Sequence, residues 1–188
     1  MELRFSDDFL KVLELSRDEA LRTGWYNITA DHIMLGVLRM ESSPACMALE
    51  ALGADPCMFK EYLDESLFCP GQIPWEERDS IHPGEGAVSM LQHAALEARR
   101  CGSPAVEPMH YVLAICRMSG SYSHDWMDAN GVTLRALVEA SGLEWSHYGL
   151  NAQSDPDNDP PAPEPELLAA AIERRLREGY TTSNPHVS

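Results

Sequence analysis

The sequence predicts an all-α protein made of two tandem copies of one helical unit. A segment of about forty residues that ends at Gly53 recurs without a gap 78 positions later, ending at Gly131. Twelve residues of the first copy recur in register, namely Leu13, Glu19, Ala20, Arg22, Gly24, His32, Leu35, Arg39, Met40, Ser43, Ala51 and Gly53. No segment alternates apolar and polar residues for long enough to suggest a strand. We therefore expect two four-helix units that share an interface and are related by pseudo-twofold symmetry.

The first two helices of the first copy are indicated by their caps. Ser6 precedes two aspartates at a favourable helix start, and an apolar face follows as far as Gly24, a suitable residue for the left-handed turn that ends a helix. After the short connection WYNI, the hydroxyl of Thr29 can cap a second helix that runs through Leu38.

The last two helices of the first copy are shorter. Pro44 to Leu52 fits a third helix that is closed by Gly53. A fourth helix begins after Asp55, with a proline in its first turn, and continues to about Phe68.

The second copy repeats this plan. Its first helix is expected from about Gly84 to Cys101, and its second begins at Pro108 after Glu107, the same place as in the first copy. The remaining two helices are expected at about residues 123–129 and 133–140.

The chain divides into four predicted segments. Residues 1–68 form the first repeat, 69–82 a Pro/Gly-rich connector, and 83–148 the second repeat. Residues 149–188 begin with a flexible, solvated linker rich in proline and acids. There the run LLAAAIERRLREG predicts a short amphipathic helix that ends at Gly179.

The composition argues against some classes of binding partner and indicates the cellular compartment. A formal net charge of −16 argues against binding to nucleic acid or to an anionic membrane surface, because phosphates would repel the chain. Five cysteines without a CxxC pair fit a reducing compartment better than a disulfide framework. The N-terminus resembles no signal peptide, and no stretch approaches the length of a membrane span. These features predict a cytoplasmic protein.

The repeated pattern resembles the Clp N-terminal repeat, which occurs in tandem at the front of the ClpA, ClpB and ClpC unfoldases. The resemblance rests on the helix ELSRDEALRTG, the turn TADH that enters IMLGVLR, and ALEALG, and it spans roughly Arg4 to Ser141. It implies a domain that binds protein substrates or an adaptor protein. In ClpC-type members such a domain also receives proteins marked with phosphoarginine.

The chain lacks the nucleotide-binding motif of the unfoldases. It contains no G-x-x-x-x-G-K-[ST] loop, so it cannot hydrolyse ATP by that mechanism. It is therefore expected to be either a detached N-terminal domain or a free-standing Clp-repeat protein.

The predicted binding site is the groove between the repeats, which includes the start of the second helix. Asp31 is expected in the first turn, where its carboxylate could pair with a guanidinium while free backbone N–H groups hold a phosphate, and the family carries a glutamate there. The alternative is that Asp31 only complements the helix dipole. In the second copy Met109 takes this position, so at most one phosphoarginine site is expected. Thr29, Trp25 and Tyr26 complete the candidate docking surface, although the two aromatic rings could equally fill the seam between helices.

Other recurring polar residues are interpreted as structural. His32 and His110 are expected to bond to nearby backbone, because nothing in the spacing supplies further metal ligands. Arg39 and Arg117 are expected to meet the negative end of the second helix. A solvated face with local ion pairs is expected on the first helix at Glu14, Arg17, Asp18 and Arg22.

The sequence as a whole favours a non-catalytic protein-binding module without cofactor or metal. It would hand protein substrates or an adaptor to a Clp ATPase/protease ring, in cis or in trans. One alternative is a free-standing accessory or regulatory protein that docks on the Clp machine. A less favoured one is a small helical enzyme, because no catalytic motif occurs.

Overall fold

A computed structural model describes residues 4–143 and 163–182, with side chains up to residue 178. The helices are α1 Asp7–Thr23, α2 Ala30–Leu38, α3 Pro44–Ala51, α4 Pro56–Leu67, α5 Glu85–Arg100, α6 Pro108–Arg117, α7 Tyr122–Ala129, α8 Leu134–Ala140 and α9 Pro165–Thr182, with a 3₁₀ helix at Trp75–Ser80. The all-α prediction is confirmed. No helix within the described ranges is long and apolar enough to cross a membrane.

Local chemistry places both ends of α1 where the sequence predicted them. The Ser6 hydroxyl accepts a hydrogen bond from the Phe9 N–H at 3.1 Å, and α1 ends at Gly24 with φ of +88°. A side chain at Gly24 would also collide, since its Cβ would lie 2.6 Å from the carbonyl oxygen of Gly71. This glycine therefore both ends the helix and lets the connector pass close to it.

Two short parallel contacts show the twofold relation between the repeats. β1 (Asn27–Ile28) pairs with β2 (His82–Pro83), which places Ile28 opposite Pro83. The residue pair related to it by the 78-residue shift, Val106 and Phe5, forms an isolated parallel bridge. The two copies thus exchange the same backbone contact in both directions. The sequence did not predict these strands, because two residues are too few to leave an alternating pattern.

The repeats pack into one continuous core. The Phe59 and Trp126 rings, from α4 and α7, stack with centroids 4.1 Å apart. The buried Tyr111 hydroxyl on α6 donates to the Ala30 carbonyl at 2.7 Å. Within the first repeat, α2 approaches α1 so closely that a Cβ at Gly36 would lie 2.7 Å from the Val12 carbonyl oxygen. Because the Phe59–Trp126 and Tyr111–Ala30 contacts join the two repeats, the first repeat relies on the second for part of its packing.

Helix α9 differs from its prediction. It begins at Pro165 and runs to Thr182, so it does not end at Gly179. It packs against α1 and α5 through Leu168, Ile172 and Leu176, which are all buried. The predicted flexible linker and the end of the predicted second repeat lie outside the described residues, since 144–162 are not among them.

The same packing corrects the interpretation of the charged face on α1. Arg17 was expected in solvent, but it is buried, and its guanidinium donates to the Leu176 carbonyl at 3.2 Å. A helix from 159 positions away covers this part of α1. Burial of an arginine requires such partners, because an unpaired buried charge is costly.

Candidate functional site

Trp25 and Tyr26, the two aromatic residues predicted to bind a partner, lie in the loop between α1 and α2. They differ in their exposure to solvent. Trp25 is half-buried: its Nε1–H donates to the Leu67 carbonyl at 2.6 Å, and its ring meets the His32 ring edge-on at 5.8 Å. Tyr26 is exposed, and its hydroxyl donates to the Glu77 carboxylate. Of this predicted pair, Trp25 therefore fills a seam and Tyr26 remains open to a partner.

Thr29 and His32 form an internal cap at the start of α2. The Nδ1 atom of His32 accepts from the Thr29 backbone N–H at 3.0 Å, and its Nε2 lies 2.9 Å from the Thr23 hydroxyl. Because Nδ1 accepts, Nε2 carries the proton and donates to Thr23. Burial, with a smaller contribution from the Arg22 charge, lowers the pKa of His32 to about 4. The Thr29 backbone N–H and both ring nitrogens of His32 are thus engaged in hydrogen bonds within the protein.

The second repeat contains the same histidine cap. His110 Nδ1 accepts from the Glu107 backbone N–H at 2.9 Å, and burial lowers its pKa to about 4. Both rings are therefore neutral near neutral pH. The interpretation of both histidines as residues that bond to nearby backbone agrees with these contacts.

Asp31 holds the two repeats together at the point where a ligand was predicted. Its carboxylate is buried and accepts from the Ser123 backbone N–H at 2.8 Å, the Ser123 hydroxyl at 2.5 Å and the Tyr122 N–H at 3.3 Å. It thus caps α7 across the interface. The positions related to Asp31 and Ser123 by the repeat are Met109 and Ala45, both buried, so the second half has an apolar pair instead. Phosphoarginine binding at Asp31 stays a prediction, and it would require this carboxylate to leave α7.

A buried glutamate in each repeat was not recognised as important from the sequence. Glu97 receives hydrogen bonds from Arg100 at 2.7 Å and from Arg117 at 2.6 Å. Glu19 occupies the related position and bonds both Arg22 and, at 3.2 Å, Arg39. The recurring arginine at the end of the second helix thus pairs with this carboxylate, and was expected only to meet the helix dipole. The joint recurrence of all three residue types was the available signal.

Three exposed aromatic side chains, Tyr26, Phe68 and Trp75, lie within or close to the connector or bond to it, and together they are called the aromatic surface. These side chains are 47%, 73% and 54% exposed, respectively. Phe68 follows directly on the Leu67 carbonyl that receives the Trp25 indole, and Trp75 begins the 3₁₀ helix that carries Glu77, the partner of Tyr26. Tyr26 and Trp75 lie beside exposed acids of this 3₁₀ helix, and the Arg78 guanidinium lies over the Trp75 ring, 4.3 Å from its centroid. Exposed aromatic side chains of this kind are typical anchors of protein interfaces.

Two findings about the described residues concern chemistry, namely possible metal ligands and cysteine thiols. Within them, no group of three or more His, Cys, Asp or Glu side chains could hold a metal ion. Burial raises the pKa of the Cys101 and Cys116 thiols to about 11, which keeps them protonated and poorly nucleophilic.

Comparison with known proteins finds a matching family model and several related chains. The family model described as "Clp repeat (R) N-terminal domain" matches residues 4–130. The ClpB chaperone of Oceanobacillus iheyensis is 29% identical over 94% of this chain, and ClpC/MecB of Bacillus subtilis, a "negative regulator of genetic competence", is 34% identical over 70%. The chain spans only 22% and 16% of the lengths of these two relatives.

A chloroplastic protein and a solved structure are also similar to this chain. The chloroplastic ClpC1 of Oryza sativa is 43% identical over 30% of this chain. A structure from "preliminary structural investigations of a malarial protein secretion system" superposes with a TM-score of 0.62 at 15% identity. The match covers 74% of this chain and 92% of that one, and at this identity it supports the fold alone.

Proposed function

Because the chain belongs to the Clp repeat N-terminal domain family, we propose that it is a non-catalytic protein-binding module. It receives protein substrates or an adaptor protein on behalf of a Clp ATPase/protease ring. The observation that carries this proposal is the aromatic surface of Tyr26, Phe68 and Trp75, which the fold exposes although it buries most other large apolar side chains.

The chemistry of the aromatic surface favours one class of ligand. Three aromatic side chains can anchor apolar groups of a peptide, and aromatic residues are prominent among the anchors of protein interfaces. Glu76 and Glu77 beside them are exposed, and the whole chain carries a formal charge of −16. Unlike charges steer association, so basic segments with apolar residues suit this surface better than acidic ones.

Of the predicted site residues, Tyr26 has the direct role in this proposal. Trp25 helps to position Phe68, because the Trp25 indole donates a hydrogen bond to the carbonyl of the preceding residue, Leu67. Thr29 and Asp31 contribute by fixing the start of α2 and its contact with α7. We assign these residues to positioning of the surface.

Binding to short labelled peptides tests the proposal. Fluorescence anisotropy would compare wild type with the double variant Tyr26→Ala/Trp75→Ala, using one peptide rich in basic and apolar residues and one in which the basic residues are replaced by acidic ones. We expect the double variant to lose at least about tenfold in affinity for the basic peptide. Met58→Ala, which truncates an exposed side chain on α4, is the matched control and should bind like wild type. Equal affinity of wild type and double variant would contradict the proposal.

The module can serve a ring to which it is joined or one that it meets as a separate protein. Copurification of the full chain with a Clp ATPase distinguishes a protein that docks on the ring in trans from one that acts only when joined to it. We propose the cytoplasm as the site of action, because five cysteines without a CxxC pair fit a reducing compartment.

A further inference from the structure

The face formed by α1 and α5 is covered by a helix from the end of the described chain. α9 lies on this face by a single stripe, Leu168, Ile172 and Leu176, whose side chains are only 1%, 2% and 3% exposed. Leu167, on the same helix but outside the stripe, is 68% exposed. A spacing of four residues places the stripe on one side of the helix, so α9 is held by one narrow seam.

Polar contacts flank the stripe and fix the register of α9. The Arg175 guanidinium lies 3.0 Å from the Glu14 carboxylate, and Arg17 donates to the Leu176 carbonyl at 3.2 Å. At the start of the helix the Gln92 side-chain amide donates to the Pro163 carbonyl at 2.6 Å. The face thus offers an acid, a cation and an amide in fixed positions around an apolar seam, which is the chemistry that recognises an amphipathic helix.

The face is not completely filled by α9. A cleft of about 230 Å³ remains beside the helix, lined by Arg17, Asp79, Ile81 and His82 from the body of the protein and by Glu173, Leu176 and Arg177 from α9. α9 therefore leaves space on this face that the side chains of another helix could occupy.

We propose that the α1–α5 face is a docking site for an amphipathic helix of a partner protein, and that α9 occupies it in cis until such a helix displaces it. The partner helix carries apolar residues at positions i, i+4 and i+8, with a basic residue placed to meet Glu14. This site is separate from the aromatic surface and does not depend on the function proposed for that surface.

Attachment in the same chain explains why α9 is the default occupant. A tethered segment competes at an effective concentration of about a millimolar or more, so a free helix of equal intrinsic affinity would bind wild type only weakly. Opening the face by weakening α9 should therefore reveal binding in trans that the wild-type chain masks.

The test uses a labelled synthetic peptide of residues 163–178 and the full chain. The variant Ile172→Asp/Leu176→Asp frees the face, and Leu167→Asp is the matched control on the exposed side of the same helix. We expect the opened variant to bind the peptide at least about tenfold more tightly than wild type or the control variant, with fluorescence anisotropy as readout. A second peptide with serine in place of Leu168, Ile172 and Leu176 should not bind. Failure of the opened variant to bind, or equal binding by wild type, would overturn the proposal.

Two further measurements on the wild-type chain do not depend on how the variants fold. Hydrogen exchange should show the amides of α9 exchanging at least about 100-fold faster than those of α1, because α9 leaves the face without global unfolding. Equal exchange would make α9 part of the core and overturn the proposal. Light scattering should show a monomer, whereas a concentration-dependent dimer would identify the α9 of a second copy as the occupant and would also overturn it.

Discussion

The paired histidine caps give the sharpest prediction about stability, and it concerns pH. In each repeat the Nδ1 atom of His32 or His110 accepts from a backbone N–H, an arrangement that only the neutral ring can make. Protonation would set one N–H against another and would place a charge in the core. The ordinary histidine pKa of about 6.5 is lowered to about 4 in the folded protein at both positions.

The direction of the effect follows from these values. Between the two pKa values the unfolded chain binds more protons than the folded one, so the free energy of unfolding falls as the pH falls. The stabilisation is complete above about pH 6.5 and is lost progressively towards about pH 4. For a shift of this size, each histidine lowers the free energy of unfolding by about 2 kcal/mol between pH 7.5 and pH 5, and the pair by about 4 kcal/mol.

The perturbation is the double variant His32→Gln/His110→Gln. Glutamine at this position of a helix can accept the same backbone N–H but does not titrate, so it keeps the cap without the pH dependence. Urea unfolding, followed by tryptophan fluorescence, would be measured at about pH 7.5 and about pH 5 for wild type, the double variant and the exposed control His82→Gln.

The double variant should lose about 4 kcal/mol less than wild type between the two pH values. The control should behave like wild type. His93, whose pKa is also lowered by burial, titrates in all three proteins and cancels in the comparison. An equal loss in wild type and double variant would refute the account of the histidine caps.

Three further predictions concern contacts within and between the repeats. Glu97→Gln should lower the free energy of unfolding in urea by about 3 kcal/mol, because two arginines lose a buried partner, whereas the exposed Glu139→Gln should cost little. Trp126→Ala should cost about 3–5 kcal/mol in thermal melts, because it removes the ring that stacks on Phe59 across the interface; a loss of less than about 1 kcal/mol would contradict this packing. Calorimetry with phosphoarginine should show at most weak saturable binding that Asp31→Ala abolishes, because the ligand must displace the three donors that already occupy the Asp31 carboxylate; equal binding by wild type and Asp31→Ala would contradict the predicted site.

The helices could be predicted because their signals are local. Ser6, Thr29 and Gly24 act on backbone within one or two turns, so their effect is readable from neighbouring residues. The recurrence at 78 positions added the relation between the two halves. The parallel contact of Ile28 with Pro83 is the exception, since a two-residue strand has no pattern of its own.

The candidate site was harder to predict because its contacts are distant in sequence. Asp31 lies at a helix start, as expected, but its carboxylate faces Ser123, 92 positions away, and no local pattern announces that partner. Arg17 looked solvated for the same reason, since the helix that buries it follows 159 positions later. Trp25 and Tyr26 are adjacent in sequence. Only the structure shows that Trp25 bonds to Leu67 while the Tyr26 ring is exposed to solvent.

Protein binding through the aromatic surface can be tested by NMR mapping of a basic, apolar peptide on the uniformly ¹⁵N-labelled full chain. We expect the largest backbone shift changes around Tyr26, Phe68 and Trp75, and we expect Tyr26→Ala/Trp75→Ala to remove them. Changes confined to other surfaces, or no saturable changes at any peptide concentration, would contradict a protein-binding module that works through its aromatic surface.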